Sequence, residues 1–266
     1  MSIIHDGSST TSQSFADRVR LVTTDQPFRW LGSGWRDFLA APGASLCYGL
    51  LFVIIGFALT VGLWHTQAAY LLLPFASGFM LLGPALTIGL QAISRDLERG
   101  EHPSFRSALL AWRANAGPIF HAGLALMCLF LFWLRLVQII FAVTLLDPTG
   151  LDVQSLLNET LFTINGLAFV TLFVALGAAV AALVFAGGAF ALPMLLDRPI
   201  GMYEAFATSF WAVKLNLPAM AVWATMLVVL TVAGMATCFI GLVVTLPLAG
   251  HATWHAYRAV IRPQEE

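Results

Sequence analysis

Long apolar stretches alternate with short polar ones along most of the chain. Stretches of about 20 apolar residues, the length that crosses a hydrocarbon core of roughly 30 Å, recur about six times. The turn between the last two, in VAGMATCFIG, is very tight, so five crossings with a re-entrant segment are the alternative. The pattern predicts membrane-spanning helices near residues 44–63, 69–93, 118–145, 163–195, 217–235 and 238–257.

Composition agrees with a membrane location for the chain beyond its polar start. Hydrophobic residues make up 59% and charged residues 10% of the sequence, whereas a soluble domain carries about 25% charged residues. The Ser/Thr-rich start is not followed closely enough by an apolar segment to form a cleavable signal peptide. We therefore expect residues 1–27 to be a disordered cytoplasmic tail and residues 28–262 to be a transmembrane helical domain.

Basic residues set the expected orientation, because cytoplasmic loops retain Lys and Arg while translocated loops lose them. All thirteen Lys and Arg residues except Arg135 lie before the first span, between spans two and three, between spans four and five, or after the last span. An even number of spans with both termini in the cytoplasm satisfies this distribution. The net charge of −1 gives no reason to expect a nucleic-acid partner.

A threefold repeat accompanies the spans. A tryptophan precedes, by six or seven residues, a proline that opens each odd-numbered span, and each even-numbered span contains a later proline. The repeat predicts three transmembrane hairpins, each preceded by an amphipathic interfacial helix, in an all-α polytopic bundle. The tryptophan and proline pairs are Trp35 with Pro42, Trp112 with Pro118 and Trp211 with Pro218, and the later prolines are Pro84, Pro193 and Pro247.

Two packing expectations follow from small residues in the apolar runs. Span four is rich in Ala and Gly, which let helix backbones approach closely, so we expect it to be the central helix. Cys47, Cys128 and Cys238 lie in apolar runs without a paired spacing, so we expect buried free thiols rather than a disulfide or zinc site. The tryptophans Trp35, Trp112 and Trp211 are expected to be interfacial anchors.

Histidines are the recurrent candidate ligands. His251 and His255 lie four residues apart on one face of the last span, and His121 is expected at the same depth on span three. Such residues can bind a metal or a haem, yet interfacial histidines beside Trp254 and Tyr257 are also ordinary. The favoured interpretation assigns no catalytic residue, no metal and no cofactor, and leaves a haem or metal site as the weaker alternative.

Arg135 interrupts the apolar run LFLFWLRLVQIIFAV in span three. It lies roughly 15 Å from the outer end of the span, and its side chain reaches only about 6 Å toward the headgroups. We expect it to face the bundle interior, a wet cavity or a partner subunit, with Gln138 accepting a hydrogen bond. A tilted helix with local bilayer thinning is the alternative.

The segments WLRLVQIIFA, LLDRPIGMYEAFATSFWAV and LPLAGHATWHAYRAVI, together with the Trp-to-Pro repeats, resemble a bacterial family of integral membrane proteins called domain of unknown function 2189. The resemblance implies a multi-pass protein of the bacterial inner membrane without an established activity. Some members carry the label of cytochrome c oxidase subunits. A catalytic haem-copper subunit needs more spans and more intramembrane histidines than this chain has, so the resemblance leaves only an accessory role open.

Three functions compete. The first is a non-catalytic accessory subunit or assembly factor of a membrane complex, and respiratory complexes are among the candidates. The second is a small-solute transporter, and the third is a haem-dependent redox protein that uses His121, His251 and His255. The expected partners are the lipid bilayer and either another membrane protein complex or a second copy of the chain.

The charge distribution makes the topology testable. We expect single cysteines introduced at Ser104 and Ser155 to react with a membrane-impermeant maleimide from opposite sides of the membrane. Labelling of both positions from the outside of intact cells would contradict an arrangement in which every basic loop is cytoplasmic.

Absorbance spectroscopy tests the haem alternative. We expect the purified protein to lack a Soret band, because the spacing of the histidines is no better than incidental. A stoichiometric haem that disappears in the His251→Ala variant would reverse this interpretation.

Overall fold

The computed structural model describes residues 15–145 and 153–263, and these residues are almost entirely helical, as predicted. Three short 3-10 turns, Phe15–Arg18, Ala69–Leu71 and Ala111–Asn115, connect α-helices. The α-helices are α1 Gln26–Ala40, α2 Pro42–His65, α3 Leu72–Leu86, α4 Ile88–Glu98, α5 Phe105–Leu109, α6 Ala116–Thr144, α7 Val153–Phe162, α8 Ile164–Gly188, α9 Ala191–Asp197, α10 Met202–Leu215, α11 Leu217–Ala236 and α12 Leu242–Val260.

Five segments of the described chain are long and apolar enough to cross a membrane. They match the first five predicted spans, and their bounds are Pro42–His65, Leu72–Glu98, Ala111–Thr144, Ile164–Asp197 and Leu217–Ala236. The sixth predicted span corresponds to α12, which is 19 residues long but more polar, because it carries two histidines and Arg258. Its crossing of the membrane stays a prediction.

Short helices precede the odd-numbered spans, as the repeat predicted. Helix α1 leads into α2, α5 with the following 3-10 turn leads into α6, and α10 leads into α11. Pro42 and Pro218 occupy the first turns of α2 and α11. A proline is favourable there because the missing N–H has no intrahelical acceptor.

Prolines also mark interruptions in spans two and four. Span two breaks between α3 and α4 just after Pro84, and span four breaks between α8 and α9 just before Pro193. Side-chain hydroxyls satisfy backbone groups at both breaks: Thr87 donates to Gly83 O at 3.0 Å, and Ser209 donates to Ala186 O at 3.0 Å. The breaks are therefore stable within an apolar environment.

Helix α12, not span four, is the central helix. In the most apolar 18-residue stretch of span four only 11% is buried within the protein, whereas 22–33% of the corresponding stretch is buried in each of the other four candidate spans. Helix α12 packs against α1, α2, α4 and α11. The prediction for span four was wrong because small residues permit a close approach without specifying where the partner helix lies.

Three glycines allow close approaches between α12 and the helices α1, α2 and α4. Gly34 of α1 lies against Ala252, Gly49 of α2 lies against Val243, and Gly250 of α12 itself lies against Leu90 of α4; at each, a Cβ would come within 2.6 Å of the neighbour. At the first two the neighbouring atoms are backbone, so α1 and α2 touch the main chain of α12 directly. Any larger residue there would push the helices apart.

The turn between α11 and α12 is as tight as the sequence suggested. Cys238 and Phe239 adopt left-handed backbone conformations with φ of 52° and 66°. The Thr237 hydroxyl accepts a hydrogen bond from the Gly241 N–H at 2.8 Å. The two helices therefore form a closed hairpin.

The protein core is concentrated at one end of the bundle, which we call the charged end because Arg95, Glu98, Asp197, Arg198 and Arg258 lie there. Large buried side chains on α4, α9 and α12 meet at this end; they include Ile93, Leu195, Trp254 and Tyr257. Many large apolar side chains elsewhere on the spans are exposed, as expected of a surface that faces lipid.

Both described chain ends meet at the charged end. Val19 and Ile261 form an antiparallel bridge, in which Arg20 N–H donates to Val260 O at 2.8 Å and Arg262 N–H donates to Arg18 O at 2.9 Å. Residues 15–27, which the sequence assigns to a disordered tail, pack on the helices in the described structure; residues 1–14 lie outside the described residues. Apolar Val19, in the polar start, gave only a weak signal for this contact.

The three cysteines are exposed rather than buried within the protein. The expectation of buried thiols was wrong because a small apolar thiol suits a lipid-facing surface as well as a core. The helices that carry Cys47 and Cys128 present other exposed apolar side chains, such as Leu50 and Leu131.

Candidate functional site: a polar clamp around His251

His251 lies at the centre of a polar cluster that joins three helices. Its imidazole is fully buried. The Nε2 atom lies 2.9 Å from Ser45 Oγ on α2, and the Nδ1 atom lies 2.8 Å from Ser94 Oγ on α4. The ring therefore bridges α2 and α4 from its position on α12, and we call His251, Ser45, Ser94, Asp37 and His255 the polar clamp.

The hydrogen bonds assign the proton on the imidazole. Ser45 donates its own proton to Ala41 O at 2.8 Å, so its oxygen accepts from Nε2–H of His251. A neutral imidazole then accepts at Nδ1 from the Ser94 hydroxyl. Both ring nitrogens are occupied, so neither is available to a metal without breaking the clamp.

Asp37 and His255 extend the clamp to α1. The Asp37 carboxylate lies 2.7 Å from His255 Nε2, and both side chains are partly exposed at the charged end. Burial raises the pKa of Asp37, but the hydrogen bond from His255 outweighs this effect and holds the pKa below its ordinary value. Asp37 therefore stays ionised at neutral pH, and its stabilising contribution is lost only as the pH falls through this lowered pKa.

An ionic network surrounds the outer side of the clamp. Glu98 of α4 accepts a hydrogen bond from Trp254 Nε1 at 2.8 Å and pairs with Arg258 at 2.8 Å. Asp197 of α9 accepts from the Tyr257 hydroxyl at 2.7 Å and lies 3.6 Å from Arg258. The ends of α4, α9 and α12 are therefore tied together by shared acceptors.

The geometry of the polar clamp favours a structural role over a catalytic one. The chain of hydrogen bonds through the clamp ends at the Ala41 carbonyl, which cannot pass a proton onward. Within residues 15–145 and 153–263, His, Cys, Asp and Glu do not gather in a group of three that could hold a metal ion. The clamp therefore holds α1, α2, α4 and α12 in one arrangement.

Sequence reasoning found part of this site. It placed His251 and His255 together on one face, whereas His121 is exposed on α6 beside Phe120. It missed Ser45, Ser94 and Asp37. The available signal was weak: two isolated hydroxyls near the ends of apolar spans and one acid on an amphipathic helix.

The expected interfacial tryptophans differ in exposure. Trp35 and Trp112 are 42% and 46% exposed, and Trp211 is half-buried beneath the Lys214 ammonium, which lies 4.7 Å from the ring centroid. Each tryptophan lies on the short helix or turn that precedes a span, and its role as an interfacial anchor stays a prediction.

Arg135 faces outward, so a position in the bundle interior is wrong. The buried face of α6 is formed by Trp133, Val137 and Ile140, and Arg135 with Gln138 lies on another face. The predicted hydrogen bond is confirmed, since Arg135 Nη1 donates to Gln138 Oε1 at 3.2 Å. Helical periodicity could not choose the face, because apolar residues surround α6 on all sides.

We expect Ser94→Ala to destabilise the protein by about 1–3 kcal/mol, because it removes the donor to a buried histidine nitrogen. Thermal unfolding in detergent measures the change, and Ser33→Ala, which removes a hydroxyl bonded only to Arg36, is the control. Equal melting of the two variants would contradict a stabilising clamp. The double variant Ser94→Ala/His251→Phe should lose less than the sum of the single losses.

Comparison with known proteins supports a membrane assignment for the central part of the chain. No curated protein and no solved structure matches the sequence. Residues 72–197, from α3 through α9, match a family model, and this segment contains Ser94, Glu98, Arg135 and Asp197. The resemblance found in the sequence is thereby confirmed over this segment, which matches the family described as predicted integral membrane protein (DUF2189).

Proposed function

We propose that the protein is a non-catalytic subunit or assembly factor of a membrane complex in the bacterial inner membrane. The partner contacts the outward face of α6 formed by Leu131, Phe132, Arg135, Gln138 and Ile139, which we call the α6 face. The observation that carries this proposal is the exposed Arg135–Gln138 pair within an otherwise apolar surface.

The surroundings of Arg135 make an unpartnered guanidinium unfavourable. Leu131, Phe132 and Ile139 are 57%, 55% and 50% exposed, so they surround it with surface suited to lipid tails. From the end of α6 at Thr144 to Arg135 the helix axis descends about 13 Å. An arginine near the centre of a span costs about 2.5–3.5 kcal/mol on insertion scales.

Gln138 satisfies only a small part of the hydrogen-bonding capacity of the Arg135 guanidinium. Arginine carries five N–H donors, and Gln138 Oε1 is the acceptor that Arg135 meets in the described structure. A carboxylate or backbone carbonyl on a partner helix would satisfy the others. The amide of Gln138 adds a second exposed polar group beside the arginine, which favours a polar contact between subunits.

Snorkelling is the competing explanation for Arg135. Trp133 Nε1 of α6 donates to Ser77 Oγ at 3.0 Å, so this part of α6 lies level with the early turns of α3. Arg135 follows two residues later and therefore lies only about one helical turn inside the level at which α3 begins. A side chain that reaches about 6 Å comes closer to the headgroups from such a level. This explanation requires no partner, so experiments on Arg135 can separate the two.

Native co-purification with mass spectrometry tests the proposal. We expect Arg135→Leu to insert normally but to lose partner proteins, and Arg135→Lys to retain them only partly, because an ammonium lacks the planar fork of a guanidinium. Thr225→Leu is the control, since it removes a hydroxyl from an outward face of α11. An unchanged set of co-purifying proteins and unchanged thermal stability in Arg135→Leu would leave only the snorkelling explanation.

A photo-crosslinking residue gives an independent measurement. Introduced at Ile139, it should attach to the partner in living cells, whereas at Val229, an exposed position on α11, it should attach to lipid or nothing. Equal protein crosslinks at both positions would contradict a specific α6 face.

Transport of a small solute is the second candidate, and Gln91 is the observation that favours it. Its side chain is fully buried beside the break in span two, its Nε2 donates to Thr87 at 3.2 Å, and its Oε1 has no partner. Interrupted helices often border transporter sites. A polar solute that raises the melting temperature of the wild type but not of Gln91→Leu would support transport, and a more stable Gln91→Leu without any stabilising solute would count against it.

A further inference from the structure

An open groove runs along α6 on the outer surface near the charged end. Buried side chains form its floor, exposed ones form its rim, and it encloses about 380 Å³. We call it the α6 groove; its floor includes Ile88, Ile119 and Leu192, and its rim includes Trp112, Phe120 and Met127. These lining side chains are apolar except for the indole nitrogen of Trp112, so the groove suits a hydrocarbon occupant.

The groove has the length of one lipid chain. It begins at Trp112, just before α6, and reaches Met127 inside the span. Its lining residues on α6, from Ile119 to Met127, cover about 12 Å of the helix axis, and Trp112 extends the groove further toward the charged end. One leaflet of a hydrocarbon core of about 30 Å is about 15 Å deep. The groove therefore spans the leaflet that adjoins the charged end.

A cation stands at the entrance of the groove. The Arg113 guanidinium lies over the Trp112 ring, 5.6 Å from its centroid, and its side chain is exposed. None of the acidic side chains in the described part of the chain forms an ion pair with it. Basic residues at a membrane surface attract anionic headgroups, and a guanidinium binds phosphate oxygens in a bidentate manner.

We propose that the α6 groove binds an anionic phospholipid, with one acyl chain in the groove and the phosphate on Arg113. The proposal combines the apolar lining, the match in length to one leaflet and the exposed cation at the leaflet surface. It is independent of the partner proposed for the α6 face, because Arg135 and Gln138 do not line the groove.

Gly123 offers a way to fill the groove without disturbing the fold. It lines the groove, and a Cβ added there would meet nothing within 4 Å. Gly123→Leu therefore places a side chain where the acyl chain is expected. Gly117→Leu is the matched control, because Gly117 is equally open on the same helix but does not line the groove.

Native mass spectrometry in detergent with added phosphatidylglycerol, phosphatidylcholine or palmitate measures binding. We expect a bound phosphatidylglycerol molecule on the wild type and on Gly117→Leu, and its loss on Gly123→Leu. Arg113→Gln should weaken phosphatidylglycerol binding about fivefold and leave the weaker phosphatidylcholine binding unchanged. Arg106→Gln, a nearby basic position, is the control for charge.

Three results would overturn the proposal. Equal binding to Gly123→Leu and the wild type would show that lipid binds elsewhere. Equal binding of the two phospholipids, unaffected by Arg113→Gln, would remove the headgroup contact. Palmitate that binds as tightly as phosphatidylglycerol would assign the groove to free fatty acids instead.

Discussion

Contact between the backbones of α12 and its neighbours is the interaction on which the rest of the structure depends. In a bilayer, lipid tails solvate apolar side chains as well as another helix does, so helices associate through close packing and satisfied polar groups. Gly34 and Gly49 bring α1 and α2 onto the main chain of α12, and Gly250 brings α12 onto α4. The polar clamp then fixes one register, because only that register pairs both nitrogens of His251.

The core and the ionic network occupy the same end of the molecule for a physical reason. Carboxylates and guanidinium groups such as Glu98 and Arg258 need water or one another, so they gather where the helices leave the apolar layer. Their shared acceptors draw the ends of α4, α9 and α12 together, and large aromatic side chains fill the space between them. Away from this end, outward apolar side chains are exposed and the helices are held by fewer protein contacts.

The sequence was informative where one residue determines local geometry. Pro42 and Pro218 marked the starts of helices, and hydropathy located five candidate spans. It was misleading about burial, since an apolar side chain in a membrane protein can face either lipid or core. The exposed cysteines, the exposed Arg135 and the peripheral span four follow from that ambiguity.

The serine partners of His251 in the clamp could not be predicted from the sequence, for a different reason. Ser45 and Ser94 are separated from His251 by 206 and 157 residues along the chain. The sequence around each serine does not indicate which residue its hydroxyl contacts. The histidine pair at i and i+4 was visible, but it suggested a ligand set. Only the tertiary arrangement revealed that serine hydroxyls occupy the ring nitrogens of His251.

The meeting of the two chain ends bears on how the protein is made. Helices α1 and α2 are synthesised before α12, yet their main contacts are with α12. The segment around Val19 likewise cannot form its antiparallel bridge until Ile261 has been synthesised. Assembly of the bundle therefore cannot finish before α12 is synthesised, and the earlier helices must reside at the membrane without this neighbour until the hairpin of α11 and α12 inserts beside them.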